Sequence, residues 1–329
     1  MIEELNKKLD ILELEKIKEI IIDYIHKNSK NMPQFEIYTY QFQRILQCAQ
    51  TEIDFEGIPK SVCTDEQWDD RQKLFGQLFK PGVKLDFKAG RSPLIYEVLY
   101  DAHGIILLRI ANEKVKYING ADFKPKSVMD YPWCYVVFDN RDGIQRMLIS
   151  RNKKAWERTD IPARIFYRTF DKLMVKHGMH FNPGDRPIYP KHEFWDVVKS
   201  AHQGVNRVLF KFPPTNLGRL LNLADSIDAI RHETGAAINV DMIAPKGGVV
   251  NLQQDFVQTD AMVSLGAAAG YEVKVWPKGV RTPQTVGKQS VVVEIPEALL
   301  TKLGERDMFD QEILEKLIAE LNRIKTLYA

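Results

Sequence analysis

Hydrophobic and polar positions follow different rhythms in the two halves of the chain. Residues 2–27 carry apolar side chains at helical spacing, which predicts an amphipathic helix, and residues 35–42 alternate as a strand does. From Leu94 to Ser150, five short apolar runs separated by turn residues predict an antiparallel β-meander. After residue 150, helical and strand patterns alternate, and the chain finishes with an apolar repeat over 307–328 that predicts a last helix.

These patterns predict an α+β fold, with an N-terminal helix and antiparallel β-meander followed by a mixed-sheet α/β domain with a C-terminal helix. The meander ends near residue 150, so we expect one domain over 1–150 and a second over 151–329. The sheet is expected to be mixed because strands 271–276 and 289–295 are joined by a loop too short for a crossover helix.

Composition narrows the cellular setting. The 329 residues are 44% hydrophobic and 27% charged, with a net charge of +2, which is ordinary for a globular protein. The three scattered cysteines, Cys48, Cys63 and Cys134, indicate reduced thiols. The charged N-terminal segment is unlike a signal peptide, and no apolar run approaches the roughly 20 residues that span a bilayer. We therefore expect a cytoplasmic protein without membrane insertion.

Positive charge is concentrated in residues 141–168, which hold eight Lys or Arg against three Asp or Glu. Trp156, Phe166 and Tyr167 lie among these cations, whereas residues 294–320 carry eight acids and three bases. Cations release the counterions condensed on a phosphate backbone, and flat side chains stack on bases. The window therefore predicts a nucleic-acid interface.

Two segments could carry that interface. In the predicted helix 160–177, the apolar side chains share one face and the basic ones the opposite face, where they either contact phosphates or form a solvated surface with Arg168 paired to Asp171. The predicted loop 276–290 has three bases and no acid, and it either crosses a nucleic-acid backbone or is solvated. The predicted nucleic-acid-binding residues are Arg141, Arg146, Arg151, Lys153, Lys154, Arg158, Arg164, Arg168, Lys172, Lys278, Arg281 and Lys288.

An enzymatic alternative uses carboxylates. Asp260, Glu272 and Lys274 match the Asp…Glu-x-Lys pattern of metal-dependent nucleases, although the intervening residues are helical in pattern. His177 and His180 have a spacing seen in metal sites, but Gly178 should end the helix between them. The main hypothesis therefore assigns no catalytic residue, metal or cofactor.

The last predicted helix suggests a third class of function. Leu314, Leu317, Leu321, Ile324 and Tyr328 recur at helical spacing. This stripe either docks on its own domain or pairs with a second subunit. A separate alternative is an interaction scaffold whose terminal helices recruit a partner while the basic window is only solvated, so that the protein does not bind nucleic acid.

A resemblance to a known family adds a biological setting. YVVFDNRDGIQRMLIS is followed by KHGMHFNPGDRPIYP, then by EFWDVVKSA and NRVLFKFPPTNLG. In this ordered series, residues 135–243 resemble the RexA-like phage-exclusion proteins and, more distantly, the KwaB defence proteins. The resemblance implies an antiphage or abortive-infection role, sequence-tolerant DNA binding as a dimer, and a second defence-system protein as a further partner. It carries over no catalytic residue and leaves the first 90 residues without a counterpart.

The hypothesis that combines these observations is a non-enzymatic, cytoplasmic homodimer that binds double-stranded DNA. Its cations would contact phosphates, which position a protein on nucleic acid without reading bases. Binding is therefore expected to be largely independent of sequence.

Overall fold

A computed structural model of the chain confirms the α+β class. It describes residues 32–45, 62–79, 83–85, 94–119, 121, 123–184, 186–212, 238–304 and 310–327. Within these ranges there are thirteen strands and seven α-helices. The predicted helix at 2–27 lies outside the described residues, and so does a helix that the sequence pattern predicts over 216–233. Cys48 and Tyr328 also lie outside them.

The first sheet contains the predicted meander. Its strands run in the order β13-β1-β7-β6-β3-β2, all pairs antiparallel, with β8 beside the second half of β1. The strands are β1 (Gln34–Arg44), β2 (Tyr96–Ala102), β3 (Ile105–Ala111), β6 (Trp133–Asp139), β7 (Arg146–Ser150), β8 (Met179–Pro183) and β13 (Val292–Glu294). Since β8 and β13 come from beyond residue 150 and pair with β1, the predicted boundary at 150 does not separate the sheets.

A two-stranded hairpin interrupts the meander between β3 and β6. It consists of β4 (Lys114–Asn119) and β5 (Pro125–Asp130), which pair only with each other in the described structure. The pattern of residues 114–120 predicts β4. β5 was not predicted, because its PKSVMD segment lacks the alternation of a half-buried strand, and five of its six residues are exposed.

Helices cover both faces of the first sheet. On one face lie α1 (Asp65–Asp69), α2 (Arg71–Gln77) and α3 (Asp160–Met174); on the other lie α6 (Glu297–Gly304) and α7 (Asp310–Leu327). The first face is rich in aromatic side chains, among them Phe75, Phe138 and Phe170. A 3-10 turn extends α3 to His177, as predicted, and Gly178 ends it with φ +72 where a Cβ would meet the Cys63 backbone.

The second sheet corrects the expectation of a mixed sheet. Its order is β10-β9-β11-β12, with strands β9 (Val205–Phe212), β10 (Ile238–Ile243), β11 (Val273–Pro277) and β12 (Gln284–Thr285). Both β10 and β11 run antiparallel to β9, so they are parallel to each other but not adjacent. Helix α5 (Val257–Ala269) connects them across β9, and it packs in the same core as α4 (His192–Ser200).

Helix α7 packs against its own chain. Leu314, Leu317 and Leu321 are buried in the core that the first sheet forms with α6. These three leucines are therefore not available as a subunit interface. No described helix is both long and apolar enough to cross a membrane.

Candidate functional site

The predicted basic window folds around a cleft. The cleft has a volume of about 910 Å³ and lies between the end of β7, the start of α3, the residues that follow β8, and the loop that leads into β13. Residues 151–153 and 156–159 form its rim, so the chain passes from the sheet into α3 along the cleft wall. With Glu36 and Tyr38 of β1, four separate parts of the chain meet at one concave surface: β1, the segment from β7 into α3, the end of β8 with the residues after it, and the loop before β13.

Cations outnumber acids in this cleft. The three acids are Glu36, Glu157 and Asp160. The seven cations are Arg151, Lys153, Arg158, Arg164, Arg168, Arg186 and Lys288. Six of these seven were predicted from the sequence, and Arg186 was not. A concave surface with this excess of positive charge attracts anions, because its low-dielectric walls focus the field.

Glu36 is the centre of a hydrogen-bond network in the cleft wall. Arg151 donates to its Oε1 through Nε at 2.8 Å and Nη2 at 2.6 Å, and the Ser290 hydroxyl donates to the same oxygen at 2.8 Å. Thr159 donates to Oε2 and lies 2.8 Å from the Tyr38 hydroxyl. The network connects β1 to the rim and to the loop before β13, and Glu36 balances the charge of Arg151.

Two further arginines share one carboxylate. Arg158 and Arg164 both donate to Asp160 Oδ2, the former at 2.8 Å. The other oxygen, Oδ1, is buried and accepts no hydrogen bond in the described structure. Because Asp160 is the first residue of α3, its negative charge also interacts favourably with the positive end of the helix dipole. Asp160 thus holds two arginines at the mouth of the cleft.

Three cleft cations have no carboxylate partner in the described part of the chain: Lys153, Arg168 and Lys288. The expected pairing of Arg168 with Asp171 is wrong. Asp171 instead accepts from the Phe181 N–H at 2.9 Å and lies 3.1 Å from His180 Nδ1. Arg168 is exposed and lines the cleft, so its charge is available to a ligand.

The loop that carries Lys288 is held by a single carboxylate. Glu193, near the start of α4, accepts hydrogen bonds from the backbone N–H groups of Gly287, Lys288 and Gln289 at 2.6, 2.9 and 2.6 Å. Gly287 has φ +82, and a Cβ there would lie 2.6 Å from the Tyr189 ring. Only glycine suits this turn, which brings Lys288 to the cleft.

Aromatic and amide groups complete the lining. Tyr38, Trp156, Tyr167 and Asn182 all border the cleft. Burial raises the pKa of Tyr38 well above its ordinary value, so its hydroxyl stays protonated at neutral pH. Tyr167 is only partly buried: it packs against the core beneath α3 and also borders the cleft.

The other six predicted cations do not line this cleft. Arg141 forms two hydrogen bonds with the buried carboxylate of Asp139, each at 2.7 Å, near the opposite end of β7 from Arg151. Arg146 lies at that same end, where desolvation lowers its pKa. Lys278 donates to the Gly247 carbonyl at 3.0 Å. The remaining three, Lys154, Lys172 and Arg281, are exposed outside the cleft.

The acids of the nuclease alternative belong to separate ion pairs. Asp260, on α5, pairs with Lys191. Glu272 pairs with Lys211 at 2.5 Å and Lys274 at 3.3 Å; burial acts to raise its pKa, but these two lysines hold that pKa below its ordinary value. In the described ranges, no three His, Cys, Asp or Glu side chains come together as a metal site would require. The arrangement therefore gives the nuclease hypothesis no support.

Sequence reasoning missed the residues that organise the cleft. Glu36, Thr159, Arg186, Glu193 and Ser290 carry no local signal, because each acts through a partner that lies far away in the chain or outside any motif. Glu36 and Arg151, for example, are 115 residues apart. The usable signals were the excess of cations with aromatics in residues 141–168 and the basic loop 276–290, which supplied Lys288.

Comparison with known proteins yields no relative: no family model matches the chain, and no curated protein is significantly similar to it. The resemblance of residues 135–243 to RexA-like proteins stays a prediction.

Proposed function

We propose that this protein binds nucleic acid in a sequence-tolerant manner, with the basic cleft holding the phosphates of one strand. The observation that supports this most directly is the convergence of six predicted cations on one concave surface. Three of the cleft cations have no carboxylate partner among the described residues. A polyanion would supply the missing negative charge.

The cleft cations form two groups, those paired with acids and those without an acid partner, and this arrangement suits such a ligand. Arg151, Arg158 and Arg164 are already paired with acids, so they shape the wall and contribute less net charge. Lys153, Arg168 and Lys288 come from the rim, from α3 and from the β13 loop, so three different elements contribute unpaired positive charge to the same surface. Phosphate contacts of this kind carry no base information, which is why we expect sequence tolerance.

The concave shape favours one strand over an intact duplex. A volume of about 910 Å³ is at the upper end of the range for ligand pockets, roughly 300–1,000 Å³. One strand can place its phosphates on the cations and a base on the Tyr167 ring. The expectation of double-stranded DNA thus becomes a proposal for single-stranded nucleic acid or a strand end, with duplex DNA as a comparison in the test.

Four further elements of the proposal have narrower support. A cytoplasmic setting is consistent with Cys63 and Cys134, which are both buried free thiols. The antiphage role, the homodimer and a second defence-system protein as partner rest on the family resemblance, since α7 supplies no interface through its leucine stripe.

The test is the salt dependence of oligonucleotide binding. For single strands, the slope of log affinity against log salt falls by about 0.7 for each phosphate that the protein no longer neutralises. Replacing Lys153, Arg168 and Lys288 together with Gln should therefore reduce the slope by about 2 and weaken binding equally for unrelated sequences. Fluorescence anisotropy with labelled single-stranded DNA, RNA and duplex DNA measures both quantities.

A matched control removes the same charge outside the cleft. In the control variant, Lys154, Lys172 and Arg281, which are exposed and do not line the cleft, are replaced with Gln. This variant should keep the slope and most of the affinity of the unmodified protein. Equal losses in both variants would point to diffuse charge attraction and would overturn the cleft as the binding site.

A small phosphorylated molecule is the second candidate, because the cleft volume also fits one and Tyr38 and Asn182 add hydrogen-bonding groups. ATP is a suitable probe. If ATP saturates the cleft and oligonucleotides bind no more tightly, this candidate replaces the first.

A further inference from the structure

The β4–β5 hairpin carries an unusual amount of exposed apolar surface. Of the fourteen large hydrophobic side chains that are exposed in the described structure, seven lie in residues 115–131. Phe123, between the two strands, is 91% exposed and has φ +56, a conformation uncommon for a non-glycine residue. Tyr117 is 75% exposed. Such a concentration marks an interaction surface.

The hairpin has two different faces. Residues paired directly across an antiparallel ladder share a face, so Val115 and Met129 lie together, with Tyr117 and Tyr131 on the same side by alternation. The opposite face carries Lys114, Lys116 and Lys126 together with Asp130, which pairs with Lys116, and with the apolar Ile118 and Val128. The first face therefore has no charged side chain in the ladder, and the second combines three lysines with one acid and two apolar groups. In sequence, residues 113–131 hold four lysines and three acids.

The base of the hairpin is attached to the rim of the cleft. The Asn112 side chain donates to the Ala155 carbonyl at 2.7 Å, and the Asn152 side chain donates to the Trp133 carbonyl at 2.7 Å. Residues 112 and 133 flank the hairpin, while 152 and 155 flank Lys153 and Lys154. The hairpin and the cleft thus share the turn that bears these two lysines.

We propose that the β4–β5 hairpin is an arm that continues the nucleic-acid contact beyond the cleft, with Tyr117, Phe123 and Tyr131 stacking on unpaired bases. This inference rests on the proposed function of the cleft. Proteins that bind single strands without sequence preference combine backbone-tracking cations with aromatic stacking platforms. Here the cleft provides the cations, and the hairpin attached to its rim provides the exposed aromatic rings. A six-residue strand spans about 20 Å, enough to contact several nucleotides beyond the cleft.

The experiment compares two lengths of oligothymidylate. A strand of roughly 6 nucleotides occupies the cleft alone, and one of roughly 20 nucleotides also reaches the arm. In the arm variant, Tyr117, Phe123 and Tyr131 are replaced with Ser, and a second variant carries only Phe123→Ser. The arm variant should bind the short strand as the unmodified protein does and the long strand at least about 10-fold more weakly, with Phe123→Ser in between.

A control variant removes exposed apolar groups elsewhere, through Ile243→Ser and Val257→Ser, which are 69% and 72% exposed. It should bind both strands normally. Failure of the unmodified protein to bind the short strand would refute the cleft proposal. Normal short-strand binding with no long-strand loss in the arm variant would refute the arm alone. The arm proposal would also be refuted if the only defect of the arm variant were lost self-association in light scattering, or lost binding to phosphatidylserine vesicles.

Discussion

The carboxylate of Glu193 accepts a hydrogen bond from the backbone N–H of Lys288 at 2.9 Å, although 95 residues separate the two. Glu193 also accepts from the N–H groups on either side of Lys288. An acid on α4 thus holds in place a base at the cleft. A negative side chain can in this way favour the binding of a negative ligand.

Glu193→Gln should weaken oligonucleotide binding. The amide accepts weaker hydrogen bonds than the carboxylate, so the loop loosens and Lys288 no longer holds its phosphate. One phosphate contact accounts for about fivefold in affinity at about 0.1 M salt, which sets the expected loss in anisotropy titrations.

The control for this prediction is Asp196→Asn. Asp196 is exposed on the same helix and has no partner in the described structure. Both substitutions remove one negative charge, which by itself would strengthen binding to an anion. Stronger binding in both variants would contradict the positioning role of Glu193.

Glu36→Gln should destabilise the fold. Glu36 is mostly buried and accepts hydrogen bonds from Arg151, Ser290 and Thr159, and weakening this network leaves Arg151 poorly compensated. We expect a loss of about 2 kcal/mol in the free energy of unfolding, measured by urea denaturation. Glu97→Gln breaks the exposed pair with Arg109 and should cost less than about 1 kcal/mol. Equal costs would show that the Glu36 network is no more than a surface ion pair.

The buried thiol of Cys134 should make the free energy of unfolding depend on pH in the alkaline range. Burial raises the pKa of its thiol from 9.0 to about 12. The unfolded chain therefore loses this proton above about pH 9 while the folded chain keeps it, so stability is full below pH 9 and declines as pH rises toward 12. At pH 10 the decline from this thiol should be about 1 kcal/mol.

Urea denaturation of Cys134→Ala at pH 8 and pH 10 checks this. The variant should lose about 1 kcal/mol less than the unmodified protein between the two conditions. Parallel losses would mean that the folded thiol titrates normally.

Leu317→Ala should destabilise the chain without changing its oligomeric state. Leu317 is fully buried in the core beneath the first sheet, and such truncations typically cost about 2–5 kcal/mol. Ile318 is only partly buried, so its replacement by Ala should lower the free energy of unfolding by less. Urea denaturation measures the cost and light scattering the mass. A stable, lighter species in the Leu317→Ala variant would restore α7 as a subunit interface.

The cations of the cleft could be predicted where they are close together in sequence. Residues 151–168 follow one strand end into one helix, so their charges had to lie near each other. Arg141 belongs to the same window, but it is bound to Asp139 two residues earlier, an interaction that depends on the geometry of the turn. Lys288 came from a basic loop, yet only Glu193 explains why this lysine reaches the cleft and Lys278 does not.

The fold, like the cleft, could be predicted only where the pattern is local in sequence. The pattern of short apolar runs identified the meander, because β3, β6 and β7 are almost entirely buried. It missed β5, whose side chains are mostly exposed. The strand order of the second sheet depends on β9 lying between β10 and β11, and no local pattern encodes that choice. The apolar pattern of α7 did not determine the surface against which the helix packs, because an apolar stripe fits a sheet as well as another helix.

The position of β1 has a consequence for biosynthesis. Gln34, at its start, meets Glu294 of β13 across 260 residues of chain. At about 5–20 residues per second, a ribosome needs on the order of 10 to 50 s to deliver that neighbour. β1 stays unpaired until β7 is made, and one edge of Gln34–Glu36 stays open until β13 is made, in a segment that includes the buried Phe35. Strands of this kind pair readily with other nascent chains, so yield in the cell should depend on translation speed and on chaperones that shield the first strand.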